Sequence, residues 1–303
     1  MKAVIFFSGL AGLILFGPPI LRHHSSRHDV HVVVHEAKHV HQHVSGQDNC
    51  RFEGERSFTA SASGIQELWL RAGSGELVVE GVEGLNELRG TARACASSQD
   101  LLDGLDLISE TDGSTFRVET HHPDMSGWRG GNRYARLDLH VEVPAGMAAD
   151  IQDGSGGLIL RDLGAVMLKD GSGEAGIEGI RGDLNVVDGS GELTISDVTG
   201  VVVVEDSSGE LLLVDLASDL ELRDSSGEIE IRGVGGAVTL FDGSGEIDIR
   251  DVFGTVTVVR DGSGEIDVRG VGGDFVVERD GSGSIRYEGV EGRVDVPKKK
   301  KGR

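Results

Sequence analysis

Two sets of residues in this chain have the types and spacing for chemistry. The first is the motif D-x-S-G, which occurs eight times, starting at Asp153, Asp170, Asp188, Asp206, Asp224, Asp242, Asp261 and Asp280. Carboxylates repeated at a fixed interval can collect cations, and paired carboxylates can cleave glycosides. The second is a set of imidazoles. Residues 22–47 hold eight of the eleven histidines, and as a helix that stretch would align His28, His31, His35 and His39 on one face. Imidazole clusters hold zinc, copper or nickel. A solvated tether is the plainer reading of the same segment.

Neither acid set reads as a catalytic pair. Glu192, Glu210, Glu228, Glu246 and Glu265 recur at one position of successive repeats, so no carboxylate stands out from its neighbours. A calcium-binding nonapeptide needs Asp where this chain has Ile247 or Ile266. No phosphate-loop motif occurs. The chain therefore reads as a non-enzyme that needs no cofactor. Cys50 and Cys95 are the only cysteines, and both follow an export segment, so they are expected to pair as a disulfide.

The elements that must position these residues follow from apolar spacing. Each repeat has five apolar columns, for example Ile229, Ile231 and Val234, then Val238 and Leu240. The step of two within each pair is the period of a strand, not of a helix. Each repeat is then two short strands and two turns. One turn is D-x-S-G, and the other is marked by a glycine such as Gly236 or Gly254. So small a unit cannot bury its apolar face alone, whereas stacking in register buries every column. The expected fold is all-β: a parallel β-solenoid with two short strands per 17–19-residue rung. The motif's second position is Ser207 and Ser225 in two copies, so its final glycine is the expected site of positive φ. The Asp carboxylate is expected to accept N–H bonds from its own turn.

The organisation along the chain is as follows. Residues 1–21 are either a cleaved export signal or a retained membrane anchor. Residues 22–47 are the His-rich linker. Residues 48–150 form an irregular β region with a short helix capped by Ser97 or Ser98, and Arg71–Gly84 is an early variant of the rung. Residues 151–297 are the regular solenoid, and 298–303 a basic tail. The net charge of −22 argues against nucleic acid as a partner. Val201 and Val203 on one face, and Leu212 and Val214 on the other, fall at outward positions where other rungs are polar. They suggest self-association through Val203 and Leu212, or cover by the segment around Trp128.

The V-E-V-P at Val141–Pro144, followed by repeated D-G-S-G-E-I-x-I with V-x-G-x-V-x-V, resembles the bacterial exported family named "putative adhesin", related to autotransporter-adhesin head domains. The resemblance spans about residues 65–296 and supplies no catalytic residues. It implies an exported, periplasmic or cell-surface module whose partner is an envelope protein or a glycan. The alternative is an envelope metal-binding or stress-sensing protein that uses the His-rich linker. A polysaccharide-active enzyme is the third reading.

Overall fold

The computed structural model describes residues 50–125 and 133–297. Residues 1–21, expected to be an export signal or anchor, the His-rich linker with His28, His31, His35 and His39, Trp128 and the basic tail lie outside the described residues.

The described chain folds as two stacks of strands. It opens with β1 (Phe52–Ser61), β2 (Glu67–Arg71), β3 (Leu77–Val82) and β4 (Glu87–Ala96). A single turn of helix, α1 (Gln99–Asp103), follows, with Ser98 at its N-cap and Leu101 and Leu102 buried. Next come β5 (Asp106–Asp112), β6 (Thr115–His121), β7 (Ala135–Pro144), β8 (Ala148–Gln152) and β9 (Leu158–Arg161). From β10 (Val166–Lys169) to β24 (Val294–Asp295) the strands alternate strictly between two sheets. Each sheet has twelve strands, which at about 4.8 Å per step is roughly 50 Å of stacking.

The sequence columns are the physical ladders. Ile229 pairs with Ile247, and Ile247 with Ile266, in parallel register. The side chains of Ile231, Ile249 and Val268 are fully buried between the sheets. Each such burial stabilises by roughly 1.5–3 kcal/mol, which the isolated rung could not realise. Where the repeat lengthens to nineteen residues between Asp242 and Asp261, the register shifts at Leu240/Phe241, so the extra residue is taken up as an irregularity without displacing the columns.

The same parallel stacking extends into the segment 52–150, but out of chain order. The rung β2–β3 lies between β6–β7 on one side and β8–β9 on the other. Antiparallel β1 and β4 then extend one sheet, and β5 the other. Phe58 against Phe116, with ring centroids 5.2 Å apart, packs this end. Both cysteines are disulfide-bonded, and none is free. Among the described residues no helix is long and apolar enough to cross a membrane.

Candidate functional site: a buried carboxyl ladder

The D-x-S-G turns stack into one corner of the solenoid. Strand parity decides where their aspartates point. Val202, Val204 and Asp206 are two apart in β14 (Val202–Asp206), so all three face inward. The aspartates therefore continue an apolar ladder as a file of carboxyls: Asp153, Asp170, Asp188, Asp206, Asp224, Asp242 and Asp261 are each less than a tenth exposed. The final glycine makes the corner possible. Its φ is positive in every copy, for instance +156° at Gly227, where an added Cβ would stand 1.7 Å from the Gly209 carbonyl oxygen. A side chain there is excluded both by backbone conformation and by the rung below.

The expected bonds to the turn's own N–H groups form at some rungs. Asp170 Oδ1 accepts from Gly171 N–H at 2.8 Å, Asp224 Oδ1 from Ser226 N–H at 3.2 Å and Asp242 Oδ1 from Ser244 N–H at 3.1 Å. The other oxygen of each, and both oxygens of Asp153, Asp206 and Asp261, have no donor. Buried acceptors facing one another are satisfied when one carboxyl keeps its proton and donates it to the next. The energetics agree. Burial pushes Asp153, Asp206 and Asp242 up to about 7, and Asp170 up to about 6, and charge repulsion from neighbouring aspartates pushes the same way. Asp224 and Asp261 are also raised, burial again first. Near neutral pH the file therefore holds protons shared between rungs. The file is nearly sealed from solvent.

The ladder's first rungs show how it is capped. Ala72 pairs at the level of Asp153, and Thr120 lies beyond it. Thr120 Oγ1 accepts the Gly73 N–H at 2.9 Å, the bond that Asp170 accepts from Gly171. Beside it, His122 Nε2 is 3.1 Å from Thr120 Oγ1, and Nδ1 is 3.5 Å from Ser74 Oγ. This is not a nucleophile and its base. Ser74 donates to the Ala135 carbonyl at 3.1 Å, and Thr120 has its own proton free for Nε2. Burial pushes His122 below its ordinary value, so the ring is a neutral plug over the file. Sequence reading missed His122 because it lies outside the repeat.

Outside the corner, the rungs carry acids balanced by arginine. Arg232 pairs with Glu230, Arg250 with Asp248, Arg269 with Asp267 and Arg286 with Glu265. These are surface pairs worth little individually. The Glu192 carboxyl is raised by partial burial and by stacked Glu174 and Glu210. No group of three His, Cys, Asp or Glu among the described residues is arranged to hold a metal ion. An open cavity of about 570 Å³ lies near Ile65, Leu85, Pro144 and Met147, and no titratable side chain lines it.

The second turn uses its glycines differently. Gly236 and Gly254 mark it in the sequence, yet their φ is not positive. They are required by close stacking, since a Cβ on Gly254 would lie 2.4 Å from the Gly236 carbonyl oxygen. The left-handed residue comes earlier, at Asp162, Gly179, Asp197, Asp215, Gly233, Asp251, Gly270 and Gly289. The Asp/Gly alternation in that column was the available signal, because both types tolerate this conformation.

No protein-family model and no curated protein matches the chain. Solved bacterial chains described as adhesion proteins are similar to it. One is a "putative cell adhesion protein" from Clostridium sporogenes, 12% identical, covering 81% of this chain and 99% of its own, with a TM-score of 0.28. A "putative adhesin" from Bacteroides fragilis is 12% identical over 82% of this chain and 98% of its own, with a TM-score of 0.32. A "putative lipid binding protein" from Parabacteroides distasonis is 15% identical over 82% of this chain and 98% of its own, with a TM-score of 0.44.

Proposed function

We propose that this protein is a non-enzymatic, exported module of the cell envelope that makes contacts along a stiff β-solenoid, as an adhesin or a structural scaffold. The observation that carries this reading is an apolar patch on the outward face of the second sheet. Met167, Val187 and Val201 are 60%, 45% and 42% exposed, and half-buried Val203 lies beside them. Met167 and Val203 share one outward row, with Asn185 between them, and the later positions of that row are Glu221, Thr239 and Thr257; Val187 flanks it, in line with Lys169 and Glu205. No ladder requires apolar residues on this face, and exposed apolar side chains clustered within a polar surround are characteristic of contact sites. The acids give the same direction: they are repeated or sealed, so none is distinguished as a catalyst.

The partner class is an envelope protein or glycan, and self-association through Val203 or Leu212 is the homotypic version of the same idea. The two residues lie on opposite sheets, so one contact uses only one of them. The test is binding to a glycan array and to envelope proteins, with sedimentation of the free protein. The triple variant Met167→Glu, Val187→Glu, Val203→Glu is expected to lose binding while keeping its melting temperature. Unchanged binding in that variant, or release of a product from a bound glycan, overturns the proposal. A metal-sensing role rests on the spacing of His28, His31, His35 and His39. Zinc titration of the full chain, compared with a variant lacking those four imidazoles, decides it.

A further inference from the structure

The two ends of the solenoid are finished differently. At the N-terminal end, Phe58, Phe116, Leu101 and Leu102 close the core. At the C-terminal end, no described strand lies beyond β23 (Gly283–Val290) and β24. Tyr287 is 49% exposed, although Ile249 and Val268 in the same column are fully buried. Ile285, Val290, Val294 and Val296 are likewise only partly covered. The last rung thus presents both an apolar cross-section and an unpaired sheet edge, a combination that templates strand addition.

Its hydrogen-bonding groups can be assigned from the rungs before it. Ile229 donates its N–H to the Glu246 carbonyl in the next rung at 2.8 Å, and Leu158 does the same to Glu174 at 2.9 Å. Ile285 and Tyr287 occupy the equivalent positions, so their N–H and C=O groups point out of the open end. Around them the outward side chains alternate in sign, Arg286 then Glu288. Arg286 is paired with Glu265 in the rung below, and Glu288 has no ion-pair partner among the described residues.

We propose that this end docks onto the same end of a second copy, with β23 antiparallel to the partner's β23 and Tyr287 directly opposite the partner's Tyr287. That register lets the two tyrosines exchange both backbone hydrogen bonds. It sets Arg286 against the partner's Glu288 and Glu288 against the partner's Arg286. Shifting the two-fold axis to Arg286 would instead oppose like charges, which costs stability. Both sheets then run on through the junction, and each tyrosine ring, already 5.9 Å from Phe275, covers the other's core. The arrangement is isologous and closes at two copies, because the other end of each solenoid is capped.

The full-length chain tests this directly. In a Tyr287→Cys variant the two cysteines would have their α-carbons about 5.5 Å apart, within disulfide range, so mild oxidation is expected to give a covalent dimer. Thr257→Cys, in mid-solenoid, is expected to stay monomeric. In sedimentation, Arg286→Glu alone and Glu288→Arg alone should each weaken self-association about tenfold, and the double swap should restore it. Removing residues 298–303 should leave the dimer unchanged. The proposal is overturned if Tyr287→Cys cross-links no better than Thr257→Cys, if the double swap is as weak as the singles, or if only the tail-deleted chain dimerises. Should Tyr287→Cys fail to fold, as judged by its melting curve, the charge swap alone decides.

Discussion

The two corners of the solenoid use aspartate in opposite ways. At the D-x-S-G corner the side chain points inward, stacks on its own kind and is nearly sealed from water. At the other corner Asp197, Asp215 and Asp251 face solvent, and it is their backbone that matters, held at φ of +56° to +57°. One corner uses the carboxyl and relies on a glycine three residues on for the chain reversal. The other relies on aspartate's tolerance of the left-handed region and leaves the carboxyl idle. Residue type alone therefore says little in a repeat. The parity of the position relative to the ladders says what the residue does.

The contrast can be broken most sharply at the glycines. Gly227→Ala at the ladder corner combines left-handed strain with a clash against the Gly209 backbone, and is expected to cost roughly 2–6 kcal/mol. Chemical denaturation of the variant against the parent measures it. A cost below about 1 kcal/mol would mean the corner relaxes and the stacking is not tight.

The next effect separates the corners by pH. An unfolded aspartate ionises near 4, whereas Asp206 and Asp242 in the fold do so at about 7. Between those values the folded chain binds more protons than the unfolded one, so stability falls as pH rises from about 4 to about 7. Melting temperature is expected to be higher at pH 5 than at pH 8. Asp206→Asn should stabilise the protein at pH 8 and flatten this dependence. Each tenfold difference in proton affinity between the folded and unfolded carboxyl is worth about 1.4 kcal/mol, so the gain at pH 8 is readable in a melt. Asp215→Asn at the other corner should leave the pH profile as it was. Equal profiles for parent and Asp206→Asn would refute the shared-proton ladder.

The smallest effect is at the second corner itself. Gly233→Asn keeps a residue type that enters the left-handed region, and should change stability by about 0.5 kcal/mol or less. Asp215→Ala should cost about 1 kcal/mol. Thermal melts of the pair are sufficient, and a reversed order would show that tolerance of the left-handed region does not set stability at this corner.

Much of this was legible in the chain. Ile229, Ile231, Val234, Val238 and Leu240 repeat with a period that only strands satisfy, so the ladders and their register could be read directly. Gly227 was readable because Ser207 and Ser225 excuse its neighbour from positive φ. The inward direction of Asp206 was readable too, from its step of two after Val204, but a carboxylate is a costly occupant of a dry column. Its burial makes sense only once the next rung's aspartate is known to share its proton, which is a property of stacking rather than of any one repeat. The left-handed Asp197 and Asp215 hide among many surface acids. The placement of Thr115–His121 beside Glu67–Arg71 had no signal, because the segment lacks the motif and pairs across 48 residues of chain.

The rung formed by residues 67–82 is enclosed on both sides by segments made later, 115–144 and 148–161. This has a kinetic consequence. The first part of the chain must close long loops before it gains any ladder contacts, and such closures set folding rates. Once they are made, every later rung needs only a loop of about one repeat to add to an existing edge. Folding of this solenoid should therefore nucleate at the disulfide-bearing end and zip in one direction, so that loss or duplication of whole rungs near the far end changes the length of the array without touching the step that limits its assembly.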